Sequence, residues 1–239
     1  MDGEVNQLDV VILCGGLGTR LREVVSDRPK PMAPIADRPF LEILIAQFSR
    51  AGFRRFILCT GHLSDSVRSH FADRRLGLDL TISEETVPLG TAGAIKNAER
   101  LISSSPFLVA NGDSYCDVDL DAFRRFHNLH RASLSMVLAR SKDTRDYGRI
   151  EVDRTNRIIT FSEKSPGQRP GLVNAGIYLF EKSILQQIPA DRKTSLEHEI
   201  FPELVSERCF GYVGLSPVLD IGTPERYRRA STYFAAGCT

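Results

Sequence analysis

The most restrictive feature of this sequence is a buried-strand pattern that runs directly into a glycine-rich turn. Residues 8–13 (LDVVIL) are apolar and rich in β-branched side chains, which predicts a buried strand. Residues 14–21 (CGGLGTRL) follow without a break. Glycines adopt positive φ and let backbone N–H groups approach an anion without interference from a Cβ. A turn of this kind at the carboxyl end of a strand is where open α/β sheets bind ligands.

Two cations strengthen this interpretation. Arg20 lies inside the turn, and Lys30 follows ten residues later, directly before Pro31. A guanidinium can bind two phosphate oxygens side by side, and an ammonium acts as a point charge on another phosphate. The pattern predicts a triphosphate site, with a tight turn and two solvated cations as the alternative. Two better-known phosphate motifs fit poorly, because Leu21 stands where G-x-G-x-x-G needs its third glycine and no G-x-x-x-x-G-K-[ST] occurs.

The composition is that of a globular protein without a bulk affinity for polyanions. Of the 239 residues, 42% are hydrophobic and 26% are charged, and the formal net charge is +1. We therefore expect neither nucleic acid nor a membrane surface as a partner. The five cysteines include no C-x-x-C pair, which argues against zinc and redox sites. With no signal peptide or long apolar span in the sequence, we expect a reducing, cytoplasmic compartment.

Strand and helix patterns alternate in the first half of the chain. Strands are predicted at 8–13, 54–60, 78–84 and 106–111, and helices at about 40–51, 64–75, 91–102 and 119–131. Connections of this length predict right-handed crossovers and parallel strands. Later strand patterns lie at 133–140, 148–153, 157–162 and 172–180, and helices at about 195–207 and 223–236 flank a last strand over 210–220. We predict an α/β, Rossmann-like three-layer sandwich with a mixed, mostly parallel central sheet, and a single domain over 1–239 with two lobes.

Two aspartates close predicted strands at positions where they could share a metal ion. Asp113 ends the segment 111–113 (NGD), and Asp220 opens 220–224 (DIGTP). Carboxylates at the carboxyl ends of strands can converge over the glycine-rich turn, and Mg²⁺ is usually held by one or two acids together with phosphate oxygens. The pair predicts a Mg²⁺ site. The alternative is that each aspartate caps the turn or helix that follows it.

A second glycine-rich segment, 88–94 (PLGTAGA), opens a predicted helix. Such an end can admit a ligand close to backbone N–H groups, and an ordinary helix start with small residues is the alternative. Glu85 stands five residues before Gly90, directly after Glu84. A carboxylate accepts well from the adjacent N1–H and 2-amino donors of guanine, whereas uracil or thymine would suit an amide better. Glu85 is therefore a candidate for recognising guanine, and a solvated acidic pair is the alternative.

Further polar residues lie at the ends of the later strand patterns. Glu163 and Lys164 follow 158–162, Asn174 lies near the start of the next strand, and Gly148 offers a close backbone approach or a hairpin turn. Lys164 could bind a monophosphate, and Glu163 and Asn174 could bind sugar hydroxyls. Standing alone, each of these residues would more often be a surface residue.

Other patterns are assigned to structure rather than to chemistry. His127 and His130 lie on a polar helix without a matching acid cluster. The run Arg226, Arg228 and Arg229 is predicted to form a solvated helix face. No Ser-His-Asp order is visible in the sequence, which argues against acyl transfer.

Taken in their order along the chain, the motifs resemble the sugar-1-phosphate nucleotidyltransferase (nucleoside-diphosphate-sugar pyrophosphorylase) family. The matching segments are 15–21 (GGLGTRL), 30–31 (KP), 90–93 (GTAG), 111–113 (NGD), 163–164 (EK), 174–176 (NAG) and 220–224 (DIGTP). Within that family, 30–35 (KPMAPI), 39–42 (PFLE), 88–91 (PLGT) and 147–148 (YG) look like D-glycero-α-D-manno-heptose 1-phosphate guanylyltransferases. The resemblance implies a fold of the nucleotide-diphospho-sugar transferase type. Its nucleotide-binding lobe would span about 1–115, its sugar-binding lobe about 116–222 and its C-terminal helix about 223–236.

Carried over to these positions, the resemblance implies a role for each candidate residue. The catalytic residues would be Arg20 on the β- and γ-phosphates, Lys30 near the α-phosphate, Asp113, and Lys164 on the sugar phosphate. The nucleotide-binding residues would be Leu13, Cys14, Gly15, Gly16, Gly18 and Thr19 in the turn, Glu85 at the base, and Gly90 and Thr91. The sugar pocket would comprise Gly148, Glu163, Lys164 and Asn174, and the Mg²⁺ ligands would be Asp113 and Asp220.

The resemblance implies transfer of GMP from GTP to D-glycero-α-D-manno-heptose 1-phosphate, giving GDP-heptose and pyrophosphate for surface polysaccharides such as capsule. Three alternatives stay open. The first is the same chemistry with other substrates, such as mannose 1-phosphate with GTP or N-acetylmuramate 1-phosphate with UTP. The second is a metal-dependent glycosyltransferase, for which 117–119 and 119–121 offer D-x-D pairs. The third is a sensing module that binds GTP and leaves it intact. For the oligomeric state, the resemblance implies that a homodimer is compatible with the family.

Overall fold

The computed structural model describes residues 8–16, 19–21, 24–25, 27–72, 77–144, 147–162, 170–205 and 207–237. Its helices are α1 Phe40–Arg50, α2 Ser64–Ala72, α3 Gly90–Asn97, α4 Leu120–His130, α5 Phe201–Leu204 and α6 Pro224–Ala235. Its strands are β1 Asp9–Leu13, β2 Pro34–Ile35, β3 Arg38–Pro39, β4 Arg55–Thr60, β5 Asp79–Glu84, β6 Phe107–Asn111, β7 Ser114–Tyr115, β8 Leu134–Ser141, β9 Arg149–Val152, β10 Ile158–Ser162, β11 Gly171–Phe180, β12 Cys209–Val213 and β13 Leu219–Asp220.

The described strands build one nine-stranded sheet with the order β10-β9-β11-β6-β1-β4-β5, and β8 joins β11 to β12. β1, β4, β5 and β6 are parallel, as the helical crossovers between them require. β11 pairs antiparallel with β6, β8 and β9, and β10 pairs antiparallel with β9. Because β12 is parallel to β8, only β10 and β11 run against the other described strands of this sheet. The predicted fold class, with its mixed and mostly parallel sheet, is confirmed.

Both faces of the sheet are covered, which explains why its central strands are apolar without alternation. Val10 and Ile12 of β1 belong to the hydrophobic core on one face, and Val11 belongs to the core on the other. Helix α1 packs on the first face through Phe40, and α5 packs on the second through Phe201. The result is a sheet between two layers of helices.

Two predicted elements differ from the structure in instructive ways. The single strand expected over 210–220 is wrong, because β12 pairs with β8 and β13 pairs with β7 in a separate two-stranded sheet. Pro217, which has no N–H to donate, lies in the intervening loop. The helix expected over 195–207 is a π-helical turn, Leu196–Ile200, followed by α5. Among the described helices, none has the length and apolar character needed to cross a bilayer.

Candidate functional site

The glycine-rich turn and Asp113 meet because β1 and β6 are neighbouring parallel strands. Leu13 and Asn111, the last residues of the two strands, are paired in register. Gly112 N–H then donates to the Leu13 carbonyl at 3.0 Å. A Cβ on Gly112 would lie 2.4 Å from that carbonyl oxygen, so the glycine is required by the close contact of the two chain segments. Asp113 is thereby placed at the carboxyl ends of the parallel strands, where the glycine-rich turn begins.

The second aspartate, Asp220, is far away in the sequence but lies at the same end of the sheet. β13 pairs antiparallel with β7, which sets Asp220 opposite Ser114, and Ile221 N–H donates to the Asp113 carbonyl at 3.0 Å. Lys30 Nζ lies 2.5 Å from Asp113 Oδ2, and the lysine side chain is only 13% exposed. The same ammonium lies 3.6 Å from the position that a Cβ of Gly222 would occupy, next to Asp220. Lys30 and the two carboxylates therefore form one compact cluster.

Asp220 is enclosed by donors. Tyr147 Oη donates to Oδ2 at 2.5 Å, Gly222 N–H donates to Oδ1 at 2.9 Å, and Arg226 Nη1 lies 3.2 and 3.3 Å from the two oxygens. The Arg226 guanidinium also lies over the Tyr147 ring, with its carbon 4.9 Å from the ring centre. Burial, with the facing Asp220 carboxylate, raises the pKa of the Tyr147 phenol. The hydroxyl therefore remains a donor.

The prediction that Arg226 belongs to a solvated helix face is wrong. Thr223 caps α6 by accepting from Arg226 N–H, and Pro224 occupies the first helical position. This geometry places Arg226 in the first helical turn, beside the strand end that carries Asp220. Its side chain is 22% exposed because it packs between Asp220 and Tyr147. The sequence did contain a signal for this contact. Only a short interval separates Asp220 from the capped start of the helix, which keeps the first helical turn close to Asp220.

The donor set of this cluster fits a hard divalent cation. Asp113 and Asp220 supply oxygen ligands, and Mg²⁺ commonly takes one or two carboxylates together with substrate phosphates. The Lys30 ammonium is paired with Asp113 and lies near the turn at Gly222 that follows Asp220, which shows that this place favours positive charge. Within the described ranges, no group of three or more His, Cys, Asp or Glu side chains could form an all-protein metal site. Binding of Mg²⁺ by Asp113 and Asp220 therefore stays a prediction.

On the other side of the glycine-rich turn, Glu85 lines a cavity of about 480 Å³. Its Oε2 accepts the Leu89 N–H at 3.1 Å. Its Oε1 would lie 2.8 Å from a Cβ on Gly15 and 2.6 Å from a Cβ on Gly61, so both glycines leave room for the carboxylate. Burial raises the pKa of Glu85, and the Leu89 N–H partly opposes this shift. Gly61, which directly follows β4, was not among the residues that the sequence predicted for the site.

The neighbouring acid has a different role. Glu84 Oε1 accepts from Ser64 Oγ at 2.5 Å, and Oε2 accepts from Arg68 at 2.8 Å. Both partners belong to α2. The two glutamates are therefore not an equivalent solvated pair, because Glu84 is bound to a helix and Glu85 faces the glycine-rich turn.

The start of α3 is packed against a distant segment. Gly90 has φ +73°, and a Cβ there would lie 2.6 Å from the Thr194 carbonyl oxygen. That carbonyl accepts the N–H groups of Ala92 and Gly93 at 3.0 and 3.2 Å. Thr91 Oγ1 donates to Glu197 at 2.9 Å. These contacts give the small residues a packing role, and a role for Gly90 and Thr91 in nucleotide binding stays a prediction.

Two residues of the predicted sugar pocket are adjacent. Asn174 N–H donates to the Gly148 carbonyl at 3.3 Å. The Asn174 side chain accepts from Gly176 N–H at 2.9 Å and donates to Tyr178 Oη at 2.8 Å, which fixes its orientation. Sugar binding by this pair stays a prediction.

The remaining candidates vary in how far the structure describes them. Arg20 lies in the 3-10 turn Thr19–Leu21 and is exposed. Cys14 is buried, and its N–H donates to the Cys59 carbonyl at 2.7 Å. The candidates outside the described residues are Gly18, the side chain of Thr19, Glu163 and Lys164. His127 is structural as predicted, because it is buried and its Nδ1 lies 2.9 Å from Ser135 Oγ.

Comparisons with known proteins identify similar sequences and similar solved structures. The model of the family described as nucleotidyl transferase matches residues 9–236. A mannose-1-phosphate guanylyltransferase of Mycobacterium tuberculosis is 36% identical over 97% of this chain, which spans 66% of that relative's length. A D-glycero-alpha-D-manno-heptose 1-phosphate guanylyltransferase of Campylobacter jejuni is 35% identical, with 92% of this chain and 97% of the relative covered. The crystal structure of HddC from Yersinia pseudotuberculosis complexed with GMP-PN has a TM-score of 0.85 and 35% identity, with 95% of this chain and 99% of that chain covered.

Proposed function

Because the chain belongs to the nucleotidyl transferase family, we propose that it transfers GMP from GTP to D-glycero-α-D-manno-heptose 1-phosphate, with release of pyrophosphate. The Campylobacter relative carries the name of this activity, and the similar HddC structure holds GMP-PN. The product would be a GDP-heptose for a bacterial surface polysaccharide.

The single observation that carries the choice of base is the position of Glu85. One carboxylate oxygen is bound to Leu89 N–H, and the other faces the glycine-rich turn without a hydrogen bond from any described residue. Guanine presents N1–H and the 2-amino group side by side, so it offers donors to this acceptor. Uracil offers one N–H beside a carbonyl oxygen, and that carbonyl would face the carboxylate. The site therefore favours GTP over UTP.

The cluster on the other side of the turn supplies the phosphoryl-transfer chemistry. A sugar-phosphate oxygen would form a bond to the α-phosphorus, while the bond from that phosphorus to the bridging oxygen breaks and pyrophosphate leaves. The attacking phosphate is already anionic, so no general base is required. The protein has only to align the reacting groups and to neutralise their charge. Lys30 would move its ammonium onto the α-phosphate, and Arg20 would bind the β- and γ-phosphates. Mg²⁺, held by Asp113 and Asp220, would neutralise charge on the phosphate oxygens.

Mannose 1-phosphate is the second candidate acceptor. The observation in its favour is the 36% identity to the Mycobacterium mannose-1-phosphate guanylyltransferase. Glu163 and Lys164, which the resemblance assigns to the sugar pocket, lie outside the described residues. Direct comparison of the two sugar phosphates as acceptors separates these candidates.

A pyrophosphate-release screen tests the proposal directly. The four common nucleoside triphosphates are each combined with heptose, mannose, glucose and N-acetylmuramate 1-phosphates in the presence of Mg²⁺. We expect the largest kcat/KM for GTP with the heptose phosphate. A larger kcat/KM with mannose 1-phosphate would identify that sugar phosphate as the acceptor instead. A preference for UTP would refute the role of Glu85. GTP binding without turnover would indicate a sensing module.

Other expectations from the sequence remain part of the proposal. A single catalytic domain is supported by the nine-stranded sheet, to which both predicted lobes contribute strands. A cytoplasmic location fits an enzyme that consumes GTP. A homodimer stays a prediction, and light scattering on the purified protein would test it.

A further inference from the structure

We propose that Glu197 is a specificity-determining residue for the acceptor sugar, whose hydroxyl groups donate to the one oxygen of its carboxylate that the protein leaves open. This inference rests on the proposed function, in which Gly148 and Asn174 line the sugar pocket. It goes further because none of the sequence motifs gives Glu197 a role. The ligand class is a sugar 1-phosphate, and the contact is made by its hydroxyls rather than by its phosphate.

The first argument is that the Glu197 carboxylate is held through one oxygen only. Thr91 Oγ1 donates to Oε2 at 2.9 Å, and Ser195 Oγ donates to the same atom at 3.0 Å. Each hydroxyl also accepts a backbone N–H, from Leu196 and His198 respectively, so its own proton is committed to Glu197. No described residue donates to Oε1. That atom therefore keeps both of its lone pairs for a ligand, while its orientation is fixed through Oε2.

The second argument is the position of this carboxylate beside the predicted sugar pocket. Asn174 Nδ2 donates to Tyr178 Oη at 2.8 Å. Burial raises the pKa of the Tyr178 phenol, and the negative charge of Glu197 is the next cause of that rise, which places Glu197 near the hydroxyl that Asn174 contacts. After its bonds to Tyr178 and Gly176, the Asn174 amide keeps one N–H and one lone pair. Glu197 and Asn174 can therefore bind hydroxyls of one sugar ring.

The third argument is the irregular backbone on both sides of this place. Glu197 lies in the π-helical turn Leu196–Ile200, and short π-helical segments are frequent at functional sites. On the other side, the register of β11 against β8 shifts between Asn174 and Tyr178. Such bulges in a strand often turn a side chain toward an active site. Two departures from regular structure thus bring Glu197 and Asn174 to one pocket.

The chemistry of Glu197 selects a hydroxylated ligand. An ionised carboxylate only accepts hydrogen bonds, so its partner must be a donor such as a sugar hydroxyl. The phosphate of the same substrate carries like charge and must lie away from Glu197. A sugar that lacks the matching hydroxyl leaves Oε1 without a partner in the bound state. Glu197 can therefore discriminate among sugar 1-phosphates by the position of their hydroxyls.

The test combines Glu197→Gln in the full chain with monodeoxy analogues of the acceptor sugar 1-phosphate. Pyrophosphate release gives kcat/KM for each analogue, and titration calorimetry gives the dissociation constant of the sugar 1-phosphate without turnover. Glutamine keeps its one oxygen on Thr91 and Ser195 and sets an NH₂ group in the place of Oε1. We expect kcat/KM for the complete acceptor to fall about 10- to 150-fold, with KM for GTP unchanged. One deoxy analogue should show this loss with the wild type and almost no further loss with Glu197→Gln.

Glu199→Gln is the matched control, because Glu199 lies in the same π-helical turn but accepts from Ser195 N–H and from Arg192. It should leave the dissociation constant of the sugar 1-phosphate and the order of the analogues unchanged. An equal effect of Glu199→Gln would overturn the inference.

Failure of this inference is distinguishable from failure of the proposed function. If the wild type turns over a sugar 1-phosphate and Glu197→Gln loses as much as the wild type on every deoxy analogue, the role of Glu197 is refuted and the proposed function stands. If the wild type neither binds nor turns over any sugar 1-phosphate, both are refuted. Thermal unfolding verifies the fold of each variant. If Glu197→Gln is unfolded, the same analogue series with Glu197→Asp, which keeps the charge but withdraws it from the sugar, decides the question.

Discussion

Replacement of Glu85 by glutamine tests base selection at one atom. In the structure, Oε2 of Glu85 accepts the Leu89 N–H at 3.1 Å, and Oε1 faces Gly15 and Gly61. Glutamine has nearly the same size but only one acceptor oxygen. Because Leu89 N–H retains that oxygen, the amide NH₂ then faces the N1–H and 2-amino donors of guanine. One charge-assisted hydrogen bond is lost, and donors are set against donors.

The magnitude follows from the bond that is removed. A hydrogen bond to a charged group contributes about 1.5–3 kcal/mol to an interaction. Since about 1.4 kcal/mol corresponds to a factor of ten, kcat/KM for GTP should fall about 10- to 150-fold. The uracil edge offers a carbonyl that accepts from the new amide. The ratio of the GTP and UTP values should therefore fall by more than the GTP value alone.

The assay is pyrophosphate release with GTP, ITP and UTP at a saturating concentration of the sugar 1-phosphate. ITP lacks the 2-amino group, so the wild type should distinguish GTP from ITP and the Glu85→Gln variant should lose most of this distinction. Glu84→Gln is the matched control, because Glu84 is bound to Ser64 and Arg68 on α2. Unchanged GTP:ITP and GTP:UTP ratios in Glu85→Gln would refute the argument, as would an equal effect of Glu84→Gln.

Three further predictions concern the same cleft. Gly61→Ala sets a Cβ 2.6 Å from Glu85 Oε1, so steady-state kinetics should show KM for GTP raised about tenfold. Gly214→Ala, whose Cβ would meet its nearest neighbour at 3.6 Å, should leave that KM unchanged. Burial raises the pKa of Glu85, so a pH profile of kcat/KM for GTP should fall on acidification at a higher pH than for an ordinary glutamate, and Glu85→Gln should lack this fall. Because the pKa of Glu85 is higher in the folded state, protonation of this carboxyl at lower pH increases the free energy of unfolding. Thermal unfolding of the wild type and Glu85→Gln over a pH series measures this contribution. Lys30→Gln removes the ammonium that we assign to the α-phosphate, and single-turnover kinetics should show a loss on the order of 10²-fold.

Local sequence patterns predicted most of the fold because the central strands are buried on both faces. The apolar run of β1 and the helix-length spacers that follow it permit few arrangements other than a parallel sheet. The prediction of a single last strand was wrong for a physical reason. The segment 210–220 bends at residues 215–216, and its two halves pair with β8 and β7 in different sheets. The choice of partner strand is a tertiary property, and no local pattern contains it.

The candidate site was predictable to the extent that strand ends determine it. Asp113 and the glycine-rich turn are brought together by the register of two neighbouring strands, as the strand-end rule for α/β sheets implies. The role of Arg226 was missed because a helix start rich in arginine has the composition of a solvated surface, and the short interval from Asp220 to the capped helix start was not used as a signal. Its partner Asp220 becomes visible only when the turn through Gly222 is built.

The contact between Thr194 and the start of α3 has a consequence for how nucleotide preference is inherited. Thr194 N–H donates to the Leu89 carbonyl at 2.8 Å, and Leu89 N–H in turn holds Glu85. A backbone segment far downstream thus supports the acid that we propose selects the base. Grafting the short loop around Glu85 onto a UTP-dependent relative would transfer the carboxylate without its support. A chimera that also carries the segment around Thr194 should acquire the preference for GTP far more completely.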